Sequence, residues 1–176
     1  EAAGSLSATP VYAGGDLWIG DFASTLYRVD LETRDVIWTY QAEDWLWSTP
    51  ILDGDTLYFA DVAGGVYALD IETQTLLWES PGLVDDIIHG QPALNADGSL
   101  LLVAGYEKGS VYAVDTSTGT LREGWAETIE NPGRLPGDLV SDDERLYAMP
   151  ILVPERIQAY DLQTGEVLWS VPSTGE

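Results

Sequence analysis

The sequence predicts an all-β protein made of four four-stranded antiparallel blades, the unit from which β-propellers are built. Three observations support this prediction. A segment that ends in tryptophan recurs four times, hairpin-type turns separate short apolar stretches inside each recurrence, and no stretch shows sustained helical periodicity. Nine Tyr and seven Trp outnumber two Phe, which suits strands, where amphipathic rings pack on a pleated surface.

The recurring segment is defined by an aspartate, a threonine three residues later and a terminal tryptophan. The four aspartates lie 40, 45 and 46 residues apart and are Asp30, Asp70, Asp115 and Asp161. The threonines are Thr33, Thr73, Thr118 and Thr164, and the tryptophans are Trp38, Trp78, Trp125 and Trp169. We expect all of these positions to be structural, because an aspartate at a strand end accepts backbone N–H groups across the following turn.

Glycine completes this turn in the last two repeats, as Gly119 and Gly165, because glycine tolerates positive φ. Arg34 and Gln74 occupy the same place in the first two repeats, which predicts tighter or less regular turns there. The third repeat has two additional residues before Trp125. This insertion shifts the register and sets the docking of Trp125 apart from that of the other three tryptophans.

Upstream of each signature lie a short apolar strand, a turn and a second strand. The turns are 14–15, 53–54, 97–98 and 141–143, three of which are Gly-Gly or Asp-Gly pairs typical of hairpins. The chain is therefore predicted to be a single β-propeller segment over residues 1–176. Its blades are expected at about 7–40, 48–80, 90–127 and 136–171.

The pattern Ala-x-Asp-x-x-Thr-Gly-x-x-x-Trp resembles the signature of PQQ-like β-propeller repeats, found in quinoprotein alcohol dehydrogenases and in BamB lipoproteins. The resemblance covers essentially the whole chain and implies that the four signature tryptophans dock between blades. Such propellers usually close with about eight blades, so four repeats imply half of a ring. An excerpt from a longer array, two copies completing one ring, and a closed four-bladed ring all stay open.

Charge excludes some partners. Thirty acidic residues face seven basic ones, for a net charge of −23. Binding to nucleic acid or to an anionic membrane surface needs a basic patch, so neither is expected. The acidity has two interpretations, a solvated surface that keeps a β-protein soluble and adaptation to a saline habitat.

The sequence contains few residues that indicate a catalytic site. The chain has no cysteine, which excludes disulfides and thiol catalysis, and its single histidine, His89, lies in a connector. We predict no catalytic, cofactor-binding or metal-binding residues, and we interpret 85–86 and 142–144 as solvated acidic loops rather than cation sites. The resemblance leaves one alternative, a dehydrogenase that uses pyrroloquinoline quinone (PQQ) and calcium, with its site in blades beyond these residues.

Two segments are candidate recognition surfaces. Trp45 and Trp47 lie outside the repeat set and flank Leu46 in the connector between the first two repeats. They either pack on a neighbouring blade or form a rim surface for a partner or a sugar. The loop 126–137, rich in Pro and Gly, is the second candidate.

The sequence thus favours a non-catalytic scaffold or protein-recognition module outside the cytoplasm, in the periplasm or at the cell surface. Its expected partners are proteins that bind at the blade rims, and the remaining blades of the propeller or a second copy. No apolar run reaches 18 residues, so membrane insertion is not expected, and any export signal or anchor is expected outside these 176 residues. An extracellular ligand-binding or sensor domain of a membrane protein is a further alternative.

Overall fold

The structure, a computed structural model, describes residues 2–6, 8–123, 125, 133–152 and 154–172. Within these ranges there is no α-helix, and hence no helix able to cross a membrane. The described strands form antiparallel sheets in which neighbours in sequence are neighbours in space. The chain divides into two compact units, Glu1–Ile88 and His89–Glu176. The prediction of an all-β fold with blade-like sheets is confirmed.

The first unit contains two four-stranded sheets, each in simple up-and-down order. Sheet 1 comprises β1 (Val11–Ala13), β2 (Asp16–Gly20), β3 (Thr25–Asp30) and β4 (Val36–Gln41). Sheet 2 comprises β5 (Ile51–Asp53), β6 (Thr56–Ala60), β7 (Val66–Asp70) and β8 (Thr75–Ser80). The central strands supply most of the buried side chains, and a shared core that includes Trp18, Leu26, Leu57, Phe59 and Tyr67 lies between the two sheets.

The second unit contains one three-stranded and one four-stranded sheet. Sheet 3 comprises β9 (Ala93–Leu94), β10 (Leu100–Ala104) and β11 (Val111–Asp115). Sheet 4 comprises β12 (Val140–Ser141), β13 (Arg145–Ala148), β14 (Glu155–Asp161) and β15 (Val167–Pro172). The core of this unit includes Leu100, Leu102, Val111, Trp125 and Tyr160.

A fourth strand was expected in sheet 3 as well. At its place the described residues form one isolated bridge, between Leu121 and Val114, and the Arg122 amide donates to the Ala113 carbonyl at 2.9 Å. This is the repeat with two additional residues between Asp115 and Trp125. In the other three repeats regular strand pairing follows the aspartate turn, and the described residues of this repeat do not show it.

The four aspartate turns have the same conformation. In each, the fourth residue after the aspartate donates its amide to the aspartate carbonyl at 2.8 to 2.9 Å and has a positive φ between 59° and 74°. These residues are Arg34, Gln74, Gly119 and Gly165. The expectation that Arg34 and Gln74 make their turns tighter or less regular was therefore wrong. The carboxylate contacts of the turn hold the backbone in the left-handed region although neither residue is glycine.

Candidate functional site

The signature aspartates hold their turns through one carboxylate oxygen. Asp30 Oδ1 accepts the amides of Glu32 and Thr33 at 2.8 and 2.7 Å, and Asp70 Oδ1 accepts the equivalent pair at 3.0 and 2.8 Å. Asp115 and Asp161 repeat the contacts. Hydrogen bonds from the threonine or serine of the turn, to the charged form, hold the pKa of all four carboxyls below its usual value. All four carboxylates thus accept hydrogen bonds from groups of their own turns.

The signature tryptophans lie in different surroundings. Trp38 is half-buried and packs on the core that sheets 1 and 2 share. Trp125 is 3% exposed, and its Nε1 donates at 2.9 Å to the carbonyl of Leu162, in the turn between β14 and β15. Trp78 is half-buried, whereas Trp169 is 43% exposed. Docking between blades remains a prediction for these residues.

Each tryptophan in sheets 1, 2 and 4 also meets an aromatic ring across a strand. Tyr58 pairs with Ala68, which pairs with Trp78, and the two rings lie 6.0 Å apart over the alanine. Sheet 4 repeats this arrangement with Tyr147, Ala159 and Trp169. In both sheets the small alanine of the signature lies on the strand between the two rings.

Sheet 1 has Arg28 at the position of this alanine. Trp18 and Trp38 nevertheless lie 5.7 Å apart, and the Arg28 guanidinium lies 5.3 Å from the Trp18 ring. Arg28 Nε donates to Asp16 Oδ2 at 2.6 Å, and the two side chains are 17% and 9% exposed. Trp18 Nε1 is buried and has no acceptor among the described residues. Trp18 and Arg28 line an open cavity of about 370 Å³ between the turns of sheets 1 and 2.

Trp45 and Trp47, the first recognition candidate of the sequence, form a surface cluster with Phe22. We call these three residues the aromatic cluster. Trp45 and Trp47 are 47% and 38% exposed. The Phe22 ring stacks on Trp45 at 5.3 Å and 20°, and it meets Trp47 at 5.1 Å and 45°. Both tryptophans are thus presented on the surface around one phenylalanine.

The backbone fixes the aromatic cluster in place. Leu46, between the two tryptophans, is 2% exposed and packs so closely on Gly20 that a Cβ there would lie 2.3 Å from Leu46 Cβ. The Leu46 amide donates to the Asp21 carbonyl at 3.1 Å, and the Trp45 carbonyl accepts the Val62 amide at 3.0 Å. Burial of Leu46 turns its two neighbours outward, because alternate side chains of an extended segment point in opposite directions.

Two buried aspartate–tyrosine pairs were not found from the sequence. Asp21 and Asp61 are fully buried, and their Oδ2 atoms accept the hydroxyls of Tyr27 and Tyr67 at 2.9 and 2.7 Å. Burial would raise the pKa of the Asp21 carboxyl, but hydrogen bonds from Thr25, Gly4, Tyr27 and Ala23 outweigh it and lower the pKa. The common spacing of forty residues was the signal that could have revealed both pairs.

The remaining acidic and basic candidates lie in local networks. Asp142 accepts the amides of Glu144 and Arg145 and the Tyr147 hydroxyl, and these hydrogen bonds, that of Tyr147 first, lower its pKa to about 2. The His89 ring is half-buried and lies 4.7 Å from the Tyr106 ring. Among the described residues, no group of three or more His, Asp or Glu is placed to hold a metal ion.

The structure describes only residues 133–137 of the loop 126–137, because 126–132 lie outside the described ranges. Of its remaining residues, Arg134 forms a bridge with Ile151 and an ion pair with Glu107 at 2.6 Å. Recognition by this loop therefore stays a prediction.

Comparison with known proteins gives the following relatives. A family model described as outer membrane protein assembly factor BamB matches residues 1–150 and, in a second alignment, 83–176. No curated protein matches the sequence. BamB from Moraxella catarrhalis is similar in structure, with a TM-score of 0.72 at 20% identity over 96% of this chain and 54% of that chain.

A quinohemoprotein alcohol dehydrogenase from Comamonas testosteroni is also similar, with a TM-score of 0.74 at 18% identity over 96% of this chain and 35% of that chain. At these identities the likeness concerns the fold. The chain spans about half of the length of the Moraxella protein and about a third of the dehydrogenase.

Proposed function

Because the chain belongs to the PQQ-like β-propeller repeat family described as outer membrane protein assembly factor BamB, we propose that it is a non-catalytic scaffold that recognises protein partners outside the cytoplasm. The family description supports both the scaffold role and the location. The proposal includes further blades, from the same protein or from a second copy, that complete the propeller.

The aromatic cluster is the observation that carries the proposal. Exposed tryptophans are unusual on a surface, because each ring leaves a large apolar area in water, and they are enriched at protein interfaces. Here two of them are held rigidly, since Leu46 is buried between them and the connector is hydrogen-bonded on both sides. A preformed surface loses little conformational entropy when a partner binds.

Site-specific photo-crosslinking tests this role. A benzophenone amino acid placed at Trp47, in the protein expressed in its native host, is expected to give a defined adduct with another protein on irradiation. The same amino acid at Tyr12, which is 66% exposed in the same unit, serves as the control and is expected to give none. Absence of an adduct at Trp47, or the same adducts at both positions, would contradict the proposal.

A PQQ-dependent dehydrogenase is the competing function, and the similarity to the Comamonas enzyme supports it at the level of the fold. Addition of PQQ and calcium to the protein separates the two functions. We expect no absorbance change and no dye-linked oxidation of alcohols. An absorbance change together with dye-linked oxidation would show that the protein is a dehydrogenase and would contradict the scaffold proposal.

A further inference from the structure

We propose that the aromatic cluster binds an arginine- or lysine-bearing segment of a partner protein. This inference rests on the proposed function and names the chemistry of the partner. It is carried by two independent observations, the exposed indole rings and the charge of the unit that presents them.

The rings supply one half of the recognition. Trp45 and Trp47 are 47% and 38% exposed, and Phe22 stacks on one of them and supports the other at an angle. Tryptophan is the aromatic side chain that attracts a cation most strongly over its face. The long methylene stem of an arginine or lysine can pack along the remaining apolar surface at the same time.

Charge supplies the other half. Residues 1–88 contain sixteen acidic and two basic residues. Of the two basic residues, Arg28 is already paired with Asp16 at 2.6 Å, and Arg34 is exposed in its turn. Glu43, which is exposed, and Asp44 directly precede Trp45 in the connector. A cationic segment is therefore attracted by the whole unit and by the carboxylates adjoining the rings.

A neutral sugar is the other occupant that exposed tryptophans suggest. It would stack on the rings but gain nothing from the surrounding carboxylates, which would remain solvated beside it. A guanidinium or ammonium group gains from both, and guanidinium groups also stack on indole rings. The combination of rings and charge thus favours a cationic segment.

Binding of a defined peptide tests the inference. The probe is a fluorescent, capped nonapeptide with four arginines alternating with glycine, measured by anisotropy at 0.15 M salt. The matched peptide contains citrulline, the neutral isostere of arginine, in all four places. We expect the arginine peptide to bind and the citrulline peptide to bind at least about tenfold more weakly.

Variants separate the rings from the net charge. The double variant Trp45→Ala, Trp47→Ala keeps the charge of the protein unchanged and is expected to weaken binding of the arginine peptide about tenfold or more. Glu43→Gln is expected to weaken it less, and Tyr12→Ala, the matched exposed aromatic, not at all. Circular dichroism of each variant verifies that the sheets remain folded.

Two outcomes would overturn the inference. Equal binding of the arginine peptide to the wild type and to the double tryptophan variant would show that the attraction is that of an acidic surface in general. Binding of cellohexaose or of the citrulline peptide at the tryptophans, as tight as that of the arginine peptide, would assign the cluster to neutral ligands. Neither result depends on the crosslinking at Trp47. The peptide experiment therefore tests the preference for a cationic segment, and the crosslinking experiment separately tests whether a protein partner binds.

Discussion

The repeated aspartate turn shows how single residues set local backbone geometry. The carboxylate of Asp30 accepts two amides of its turn, and the residue that follows, Arg34, has a φ of 64°. A side chain at such a φ meets the neighbouring carbonyl and costs roughly 1–2 kcal/mol. Gly119 and Gly165 avoid that cost in the other unit, at φ values of 72° and 74°.

This difference predicts that Arg34→Gly or Gln74→Gly stabilises the protein. Removal of the strain outweighs the additional backbone entropy of glycine in the unfolded chain, which costs about 0.5–1 kcal/mol, so we expect a net gain of up to about 1 kcal/mol. Chemical denaturation measures it. Gly119→Ala and Gly165→Ala are the reverse controls and are expected to lose about 1 kcal/mol. A loss of stability in both glycine-gaining variants would show that Arg34 and Gln74 are not strained.

The same turns predict a pH dependence. Hydrogen bonds, that from the Thr73 amide first, hold the pKa of Asp70 below 3.8 in the folded protein. A lowered folded-state pKa stabilises the fold fully above the unfolded pKa, near 3.8, and this stabilisation is lost as the pH falls through the folded pKa. Asp70→Asn, which keeps the shape without the charge, should therefore lower the melting temperature at pH 7. The difference from the wild type should shrink as the pH falls below the unfolded pKa and through the lowered folded pKa of Asp70. A constant difference over the whole range would contradict this assignment.

At the scale of the element, two aromatic rings meet across the third strand in sheets 1, 2 and 4. Tyr58 meets Trp78 over Ala68, and Tyr147 meets Trp169 over Ala159. In sheets 1, 2 and 4 the pairing between the third and fourth strands shifts its register directly after Arg28, Ala68 and Ala159, respectively. Sheet 1 keeps the same contact although Arg28 replaces the alanine, because the guanidinium is bound by Asp16.

Arg28→Ala is accordingly expected to destabilise the protein. It leaves Asp16, 9% exposed in its side chain, without its cation, and loss of one partner of a largely buried pair costs about 2 kcal/mol or more. Adding Asp16→Thr gives sheet 1 the two residues that sheet 2 has at the equivalent positions, Thr56 and Ala68, and should recover most of the loss. Urea denaturation of the single and double variants measures both. A double variant no more stable than Arg28→Ala would show that Asp16 is not the source of the cost.

At the scale of the whole molecule, the dominant feature is charge. Most of the thirty acidic residues share an accessible surface of 8837 Å², since Asp16, Asp21 and Asp61 are the buried ones among the described residues. This density gives a mean separation of roughly 18 Å between surface carboxylates, about twice the Debye length of about 8 Å at 0.15 M salt. Most of the repulsion between them is therefore screened before molar salt is reached.

Stability is consequently expected to depend on salt over a limited range. The melting temperature should rise between 0.02 and 0.2 M KCl and change little from there to 2 M. The triple variant Glu32→Gln, Asp53→Asn, Glu72→Gln, which removes three exposed charges, should show a smaller rise. A melting temperature that continues to increase up to 2 M would favour adaptation to a saline habitat over the simpler solvated surface.

The sequence was most informative where residues at a fixed spacing share one backbone geometry. The aspartates and threonines predicted four turns, and the alternating apolar stretches predicted the sheets around them. The prediction was weakest at Arg34 and Gln74, because residue type alone does not show that the carboxylate contacts outweigh the strain. It was also incomplete for Phe22, which joins Trp45 and Trp47 from a segment more than twenty residues away.

The amino-acid sequence by itself determined the number of repeats, the antiparallel strand order and the turn at each aspartate, because these depend on contacts between residues close along the chain. Tertiary structure alone decided which rings are exposed and which are covered. Burial of Leu46 against Gly20 turns Trp45 and Trp47 outward, and the Gly4 amide reaches the buried Asp21 carboxylate from seventeen residues away. Such outcomes depend on packing between segments far apart in sequence, which no local pattern records.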